Sequence, residues 1–155
     1  MENRMMQRAI ELAIENVNSL RGGPFAALVV KNGQIIAEGT NLVTSTFDPT
    51  AHAEVTAIRN ACRALGDFQL TGCDIYTTCE PCPMCLGAVY WARPENLYYA
   101  STRADAAAAG FDDAFIYDQI PVAPEKRAIP CLEFMRKEAS AAFDAWRKLS
   151  NKTPY

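Results

Sequence analysis

The sequence predicts an α/β fold, a mixed sheet with helices packed on both of its faces, on three observations. Two stretches carry apolar residues at helical spacing, one near the start of the chain and one near its end. Two short apolar runs flank Lys31-Asn32-Gly33-Gln34, a hairpin signal. Further on, strand-like runs alternate with helical ones, which requires sheet and helices to cover one another. At 155 residues the chain is expected to form one domain, 1–155, with a core over 1–120 and an arm, terminal helix and tail over 121–155.

Met5 to Val17 carries Ala9, Ile10, Ala13, Ile14 and Val17 at helical spacing and predicts a first amphipathic helix. Gly22-Gly23-Pro24 forces a turn, after which Phe25 to Val30 and Ile35 to Asn41 read as the two strands of the hairpin. Residues 43–50 are polar and turn-rich, and Asp48-Pro49-Thr50 starts a helix that runs from His52 to about Leu65. Ile75 to Thr78 is a strand that delivers the chain to a cysteine-rich turn; Leu86 to Trp91 is the helix after it, and Leu97 to Ala100 a further strand. Ala104 to Ala109 is a short helix closed by Gly110. Residues 118–130 contain Pro121, Pro124 and Pro130 and read as an extended connector. Met135, Ala139, Ala142, Phe143, Trp146 and Leu149 then mark a terminal helix.

The formal net charge of −3 argues against a nucleic-acid partner, which demands a basic face. No apolar run is long enough to span a bilayer, and six cysteines in one soluble chain suit a reducing cytoplasm better than a disulfide scaffold. Chemistry concentrates in two segments, His52-Ala53-Glu54 and Cys79-Glu80-Pro81-Cys82-Pro83-Met84-Cys85. One imidazole and two thiols at C-x-x-C spacing offer three ligands to zinc, and three ligands leave a position for water, as catalytic zinc requires. Glu54, two residues beyond the histidine, supplies a carboxylate to take and return that water's proton. Together they form H-x-E…P-C-x-x-C, the signature of zinc-dependent nucleobase deaminases.

His52 and Glu54 lie about 200° apart around a helix, so both reach a metal only if it sits off the helix's N-terminal end. Pro81 and Pro83 place Cys82 and Cys85 at a second helix start, giving an end-on site between two positive helix dipoles. Cys79-Glu80-Pro81-Cys82 is also C-x-x-C and reads as a redox pair, but that reading leaves Cys85, His52 and Glu54 unexplained. Cys79 is expected to be buried and not a ligand; Cys62, Cys73 and Cys131 read as small hydrophobes.

The chain resembles the bacterial guanine deaminases of the cytidine deaminase superfamily over essentially its whole length. The resemblance rests on Gly23-Pro24-Phe25, on 48–55 with the histidine motif, on 80–85 with the cysteines and on Tyr90-Trp91-Ala92-Arg93. Ala109-Gly110-Phe111-Asp112-Asp113 and the ending Asn151-Lys152 to Tyr155 complete it. The zinc-bearing segments mark the superfamily; Gly-Phe-Asp-Asp and the terminal tyrosine narrow it to guanine.

The resemblance implies a cytidine-deaminase-like three-layer α/β/α fold with a five-stranded mixed sheet, and a homodimer that exchanges its C-terminal segments. It implies hydrolysis of guanine to xanthine and ammonia in purine catabolism or salvage, with one Zn²⁺ per chain held by His52, Cys82 and Cys85. Glu54 would shuttle the proton to the ring nitrogen beside C2, and Asp113 would help ammonia leave. Asn41 and the Ala53 backbone would contact the base, Phe25 and Trp91 would line the pocket, and Tyr155 would close it. Read without the resemblance, Phe25 and Trp91 are equally core aromatics, Asp112-Asp113 a solvated turn and Tyr155 a frayed end. A guanosine deaminase would share these motifs. A tRNA adenosine deaminase would share the zinc site but needs a basic surface, and a zinc-stabilised binding module would have no use for Glu54.

Overall fold

The computed structural model describes residues 2–155. Strand β1 (Ala26–Lys31) forms an antiparallel hairpin with β2 (Gln34–Thr40), closed by Asn32 and Gly33, both at positive φ. That is the backbone a two-residue hairpin demands. On its other edge β1 pairs antiparallel with β3 (Cys73–Cys79), and β3 pairs parallel with β4 (Asn96–Ser101), giving the order β2-β1-β3-β4. β1 is an unbroken apolar run because both of its faces are covered. Ala26, Leu28 and Val30 pack against α1 (Glu2–Asn18) on one face. Ala27 and Val29 join α3 (Ala53–Leu65) and α4 (Pro83–Ala92) on the other. Full burial of Leu28 and Val29 contributes about 1.5–3 kcal/mol each. Across the parallel pair Tyr76 stacks on its register partner Tyr98, ring centroids 4.7 Å apart.

The first helix buries a different stripe from the one its apolar spacing suggests. Met5, Ala9, Leu12, Ala13 and Asn16 are buried, whereas Ile10, Ile14 and Val17 are exposed. The side with Ala9 and Ala13 lets the helix approach Leu28, Val30 and Tyr76 of the strands. The turn-rich stretch after β2 contains a single helical turn, α2 (Val43–Thr46), closed by Phe47 in the left-handed region.

Among the described residues the sheet has four strands, not five. After Ser101 the chain coils at once into α5 (Arg103–Ala108), started by a capping box in which Thr102 and Asp105 satisfy each other's backbone N–H groups. The later run Phe115-Ile116-Tyr117 is helical, within Ala114–Gln119, and Pro121, Pro124 and Pro130 have no N–H to add to a ladder.

The chain divides into two compact units, Met1–Asp113 and Ala114–Tyr155. The second contains α6 (Ala114–Gln119), a 3-10 turn at Pro124–Lys126 and α7 (Arg136–Lys148). The proline-containing connector is folded on itself, not extended. Arg127 donates to the Val122 carbonyl at 3.1 Å and to the Ile120 carbonyl at 3.3 Å, and Ala128 N–H donates to Gln119 Oε1 at 2.7 Å. One guanidinium thus gathers two backbone carbonyls of the connector.

Candidate metal centre

His52 is the N-cap of α3 and Cys82 the N-cap of α4. An N-cap residue is extended and its side chain normally turns back onto its own helix. Here both residues are extended, with ψ of 158° and 167°, yet neither side chain caps its helix. They turn toward each other. His52 Nδ1 is 3.5 Å from Cys82 Sγ and 3.5 Å from Cys85 Sγ. The three donor atoms lie within 4.8 Å of one another, the end-on arrangement that the spacing predicts.

Local sequence builds each side of this meeting point. Asp48 Oδ1 accepts from Thr50 N–H at 2.8 Å and from its hydroxyl at 2.7 Å, a tight turn whose hydrogen bonds hold the Asp48 carboxyl below the usual carboxylate range. That turn feeds His52 into the first turn of α3. On the other side, Pro83 occupies the first position of α4, where no intrahelical N–H is needed. Cys85 follows one turn along and is buried.

The donor set fits zinc: one imidazole nitrogen and two sulfurs converge, three ligands among the described residues, as a catalytic site that keeps a position for water requires. The charge distribution agrees. A hydrogen bond from Cys85 pulls the Cys82 thiol well below its ordinary range, with His52 adding to the effect, while the same bond and burial push Cys85 up. His52 is raised, first by its hydrogen bond with Cys82. Cys82 is therefore the donor readiest to meet a cation as thiolate, while Cys85 and His52 hold protons that a bound cation must displace.

Glu54 lies in the first turn of α3 and is buried, beside Cys85. Burial is the main cause that raises its carboxyl above the usual range. Asp113 is raised too, by burial first and then by the negative charge of Cys82, which places its carboxyl within electrostatic reach of the cysteines. Cys79 is buried, with Sγ 3.5 Å from the Thr102 carbonyl, and burial with the neighbouring carboxylates pushes its thiol up to about 11. It stands outside the donor trio.

Asn41 is buried, and its Oδ1 accepts from Gly23 N–H and Val43 N–H, each at 3.3 Å. Ala53 is fully buried at the first position of α3. Phe25 meets Phe111 edge to face at 4.9 Å and borders a cavity of about 190 Å³ shared with Thr78, Cys79 and Ala109. Trp91 is 65% exposed on α4, and Tyr155 is the exposed last residue of the second unit. The sequence reading missed Asn16, whose signal was a polar residue on the buried side of α1, and Thr78, whose hydroxyl accepts from Ala26 N–H at 3.1 Å.

A family model described as the cytidine and deoxycytidylate deaminase zinc-binding region matches residues 1–101. The chain is similar to guanine deaminase of Bacillus subtilis (strain 168), 57% identical over 150 residues, which is 97% of this chain and 96% of that protein. The crystal structure of guanine deaminase from Bacillus subtilis superposes with a TM-score of 0.98 at 55% identity, covering 100% of this chain and 99% of that one. Similarity to the tRNA-specific adenosine deaminase of Agrobacterium fabrum, 46% over 78 residues, covers 50% of this chain and 51% of that protein.

Proposed function

This chain belongs to the cytidine and deoxycytidylate deaminase zinc-binding family, and we propose that within it the protein hydrolyses guanine to xanthine and ammonia. The observation that carries the chemistry is the meeting of His52, Cys82 and Cys85 at two helix N-termini with Glu54 buried alongside. Support for guanine comes from the extent of the likeness: that to a guanine deaminase covers 97% of the chain at 57% identity, whereas those to tRNA adenosine deaminases cover 50% at 46% identity or 72% at 36%.

Zinc held by His52, Cys82 and Cys85 would supply a water acidified towards neutrality. The remaining work falls to the chain itself. Glu54 accepts the proton of the attacking water and passes it to the ring nitrogen beside the carbon that bears the amino group. A carboxyl whose proton affinity is raised by burial suits a group that must both take and give. Asp113, near enough to Cys82 to feel its charge, assists the departure of the amine. Asn41, with its Oδ1 already occupied by backbone, offers Nδ2 to the base, and Ala53 adds its backbone. Phe25 and Trp91 line the pocket.

The reading extends to assembly. All 155 residues serve as one deaminase domain whose segment 121–155, arm, terminal helix and tail, is exchanged between two copies, so that Tyr155 closes the partner's site. Ile129, Leu132 and Phe134 are each about four-fifths exposed, an apolar run that a second copy would cover. The six free thiols suit a cytoplasmic setting, and the acidic balance suits a small-molecule substrate, not nucleic acid.

The test is ammonia release from guanine, guanosine, cytosine, cytidine and adenine offered in parallel. Release from guanine with xanthine as product is the expected result. Preference for guanosine or for adenine would contradict the reading.

A further inference from the structure

We propose that Asn16 is a positioning residue for substrate binding: from the buried face of α1 it sets the position of Asn41. The inference rests on the reading of Asn41 as the contact to the base.

Asn16 is fully buried, on the same stripe of α1 as Met5, Ala9, Leu12 and Ala13. Its Nδ2 donates to the Asn41 carbonyl at 2.8 Å and to the Gly23 carbonyl at 3.0 Å. Both partners are acceptors only, so chemistry fixes which end of the amide faces them. Oδ1 then points into the interior with no partner among the described residues. An orphaned buried carbonyl costs stability that an apolar residue would not incur. Against that cost stand the two backbone carbonyls that its Nδ2 satisfies.

What asparagine does here is tie three segments together where Asn41 stands. Asn41 N–H donates to the Phe25 carbonyl at 3.1 Å, and Asn41 Oδ1 accepts from Gly23 and Val43. Gly22 is packed so tightly that a Cβ there would lie 2.0 Å from the Asn41 carbonyl oxygen. Asn16 pins that same oxygen from α1. The residue read as the base contact is thus held through its N–H, its Oδ1 and its carbonyl, and the last of these holds is made by a side chain far from it in sequence. Remove that hold and the Asn41 carbonyl loses its tie to α1 while the Gly23 carbonyl keeps only the Phe25 N–H, so the loop over 22–25 and the end of β2 relax together. Binding geometry is sensitive to shifts of this size.

The experiment is steady-state kinetics on guanine for Asn16→Ala, Asn41→Ala, the double variant and Met5→Ala, with zinc content and melting temperature measured for each. Asn16→Ala should raise KM about tenfold with zinc retained and with kcat changed by less than about threefold. The double variant should have the KM of Asn41→Ala, since the two act through one contact. Met5→Ala, a cavity on the same helix face, should melt earlier with KM unchanged. Asn16→Ser keeps one donor hydrogen and should fall between parent and Asn16→Ala, and it carries the test if the alanine variant does not fold. A parental KM in folded Asn16→Ala or Asn16→Ser, beside a raised KM in Asn41→Ala, overturns the inference alone, as do KM effects that multiply in the double variant. A parental KM in Asn41→Ala overturns the base-contact reading and this inference with it.

Discussion

His52 and Cys82 each stand at the N-cap of a helix, and the two side chains face one another across 3.5 Å in place of capping their own helices. Two positive helix ends and two thiols are thereby collected at one point, and each unmade cap is worth about 1 kcal/mol. The arrangement makes chemical sense once a cation joins the donors.

Purified protein should therefore contain about one zinc per chain. Cys82→Ser should lose most of it, and Cys79→Ser should keep it, because the Cys79 sulfur is turned toward the Thr102 carbonyl. Metal analysis of the two variants decides the ligand set; the opposite pattern would refute it. Acidification should release the metal, since every donor must be deprotonated to bind.

The site was legible in the sequence because it is local. Helix N-termini announce themselves through Asp48-Pro49-Thr50 and Pro81-Cys82-Pro83, and ligands placed at those termini inherit a recognisable spacing. The hairpin at Asn32-Gly33 and the four strands were legible for the same reason. What was not legible depends on contacts between distant segments. Apolar spacing in α1 admits two stripes, and only packing against the sheet selects the one that carries Asn16. The connector looked extended from its prolines, yet the reach of the Arg127 side chain folds it. No sequence signal shows that Gly39 lies against α3.

At Gly39 a Cβ would lie 2.3 Å from Ala57 N and 2.4 Å from the Ala53 carbonyl oxygen. Both are backbone atoms, so strand and helix must separate. Gly39→Ala should destabilise the fold by about 2 kcal/mol and lower activity, because the helix it displaces carries His52 and Glu54. Gly87, inside α4 with nothing within 4 Å of a Cβ, is the contrast. Gly87→Ala should stabilise by about 0.5–1 kcal/mol. Paired melting curves test both, and equal melting temperatures in the two variants would contradict the close approach.

Asp113→Asn should cut turnover on guanine with zinc content unchanged. Its carboxyl is raised by burial and by Cys82, and an amide in its place has no proton to give a departing amine. Activity equal to the parent's would remove Asp113 from the mechanism.

The exchange of arms is testable by complementation. One chain carries Glu54→Ala and the other lacks Tyr155, each nearly inactive alone. Refolded together, a mixed dimer has one site with both residues intact only if the tail acts across the dimer. Recovery of a fraction of parental activity is expected; no recovery, in a sample shown to contain mixed dimers, would sink the exchange.

Metal-free protein offers a check on the burial of Glu54. Its folded-state proton affinity is raised, so the fold loses stability as pH rises from the unfolded carboxylate range through the folded value, and the penalty persists above it. Glu54→Gln removes the charge. Without metal it should melt higher than the parent at neutral pH and lose that advantage in acid.

With zinc bound, the same variant bears on the proposed chemistry most directly. Glutamine preserves the shape of Glu54 and its hydrogen-bonding reach but cannot carry a proton. Turnover of guanine by zinc-loaded, folded Glu54→Gln should fall by at least about 10²-fold. Turnover at the parental rate, at equal zinc content, would mean that this carboxylate shuttles no proton and that the site does not deaminate by the route set out above.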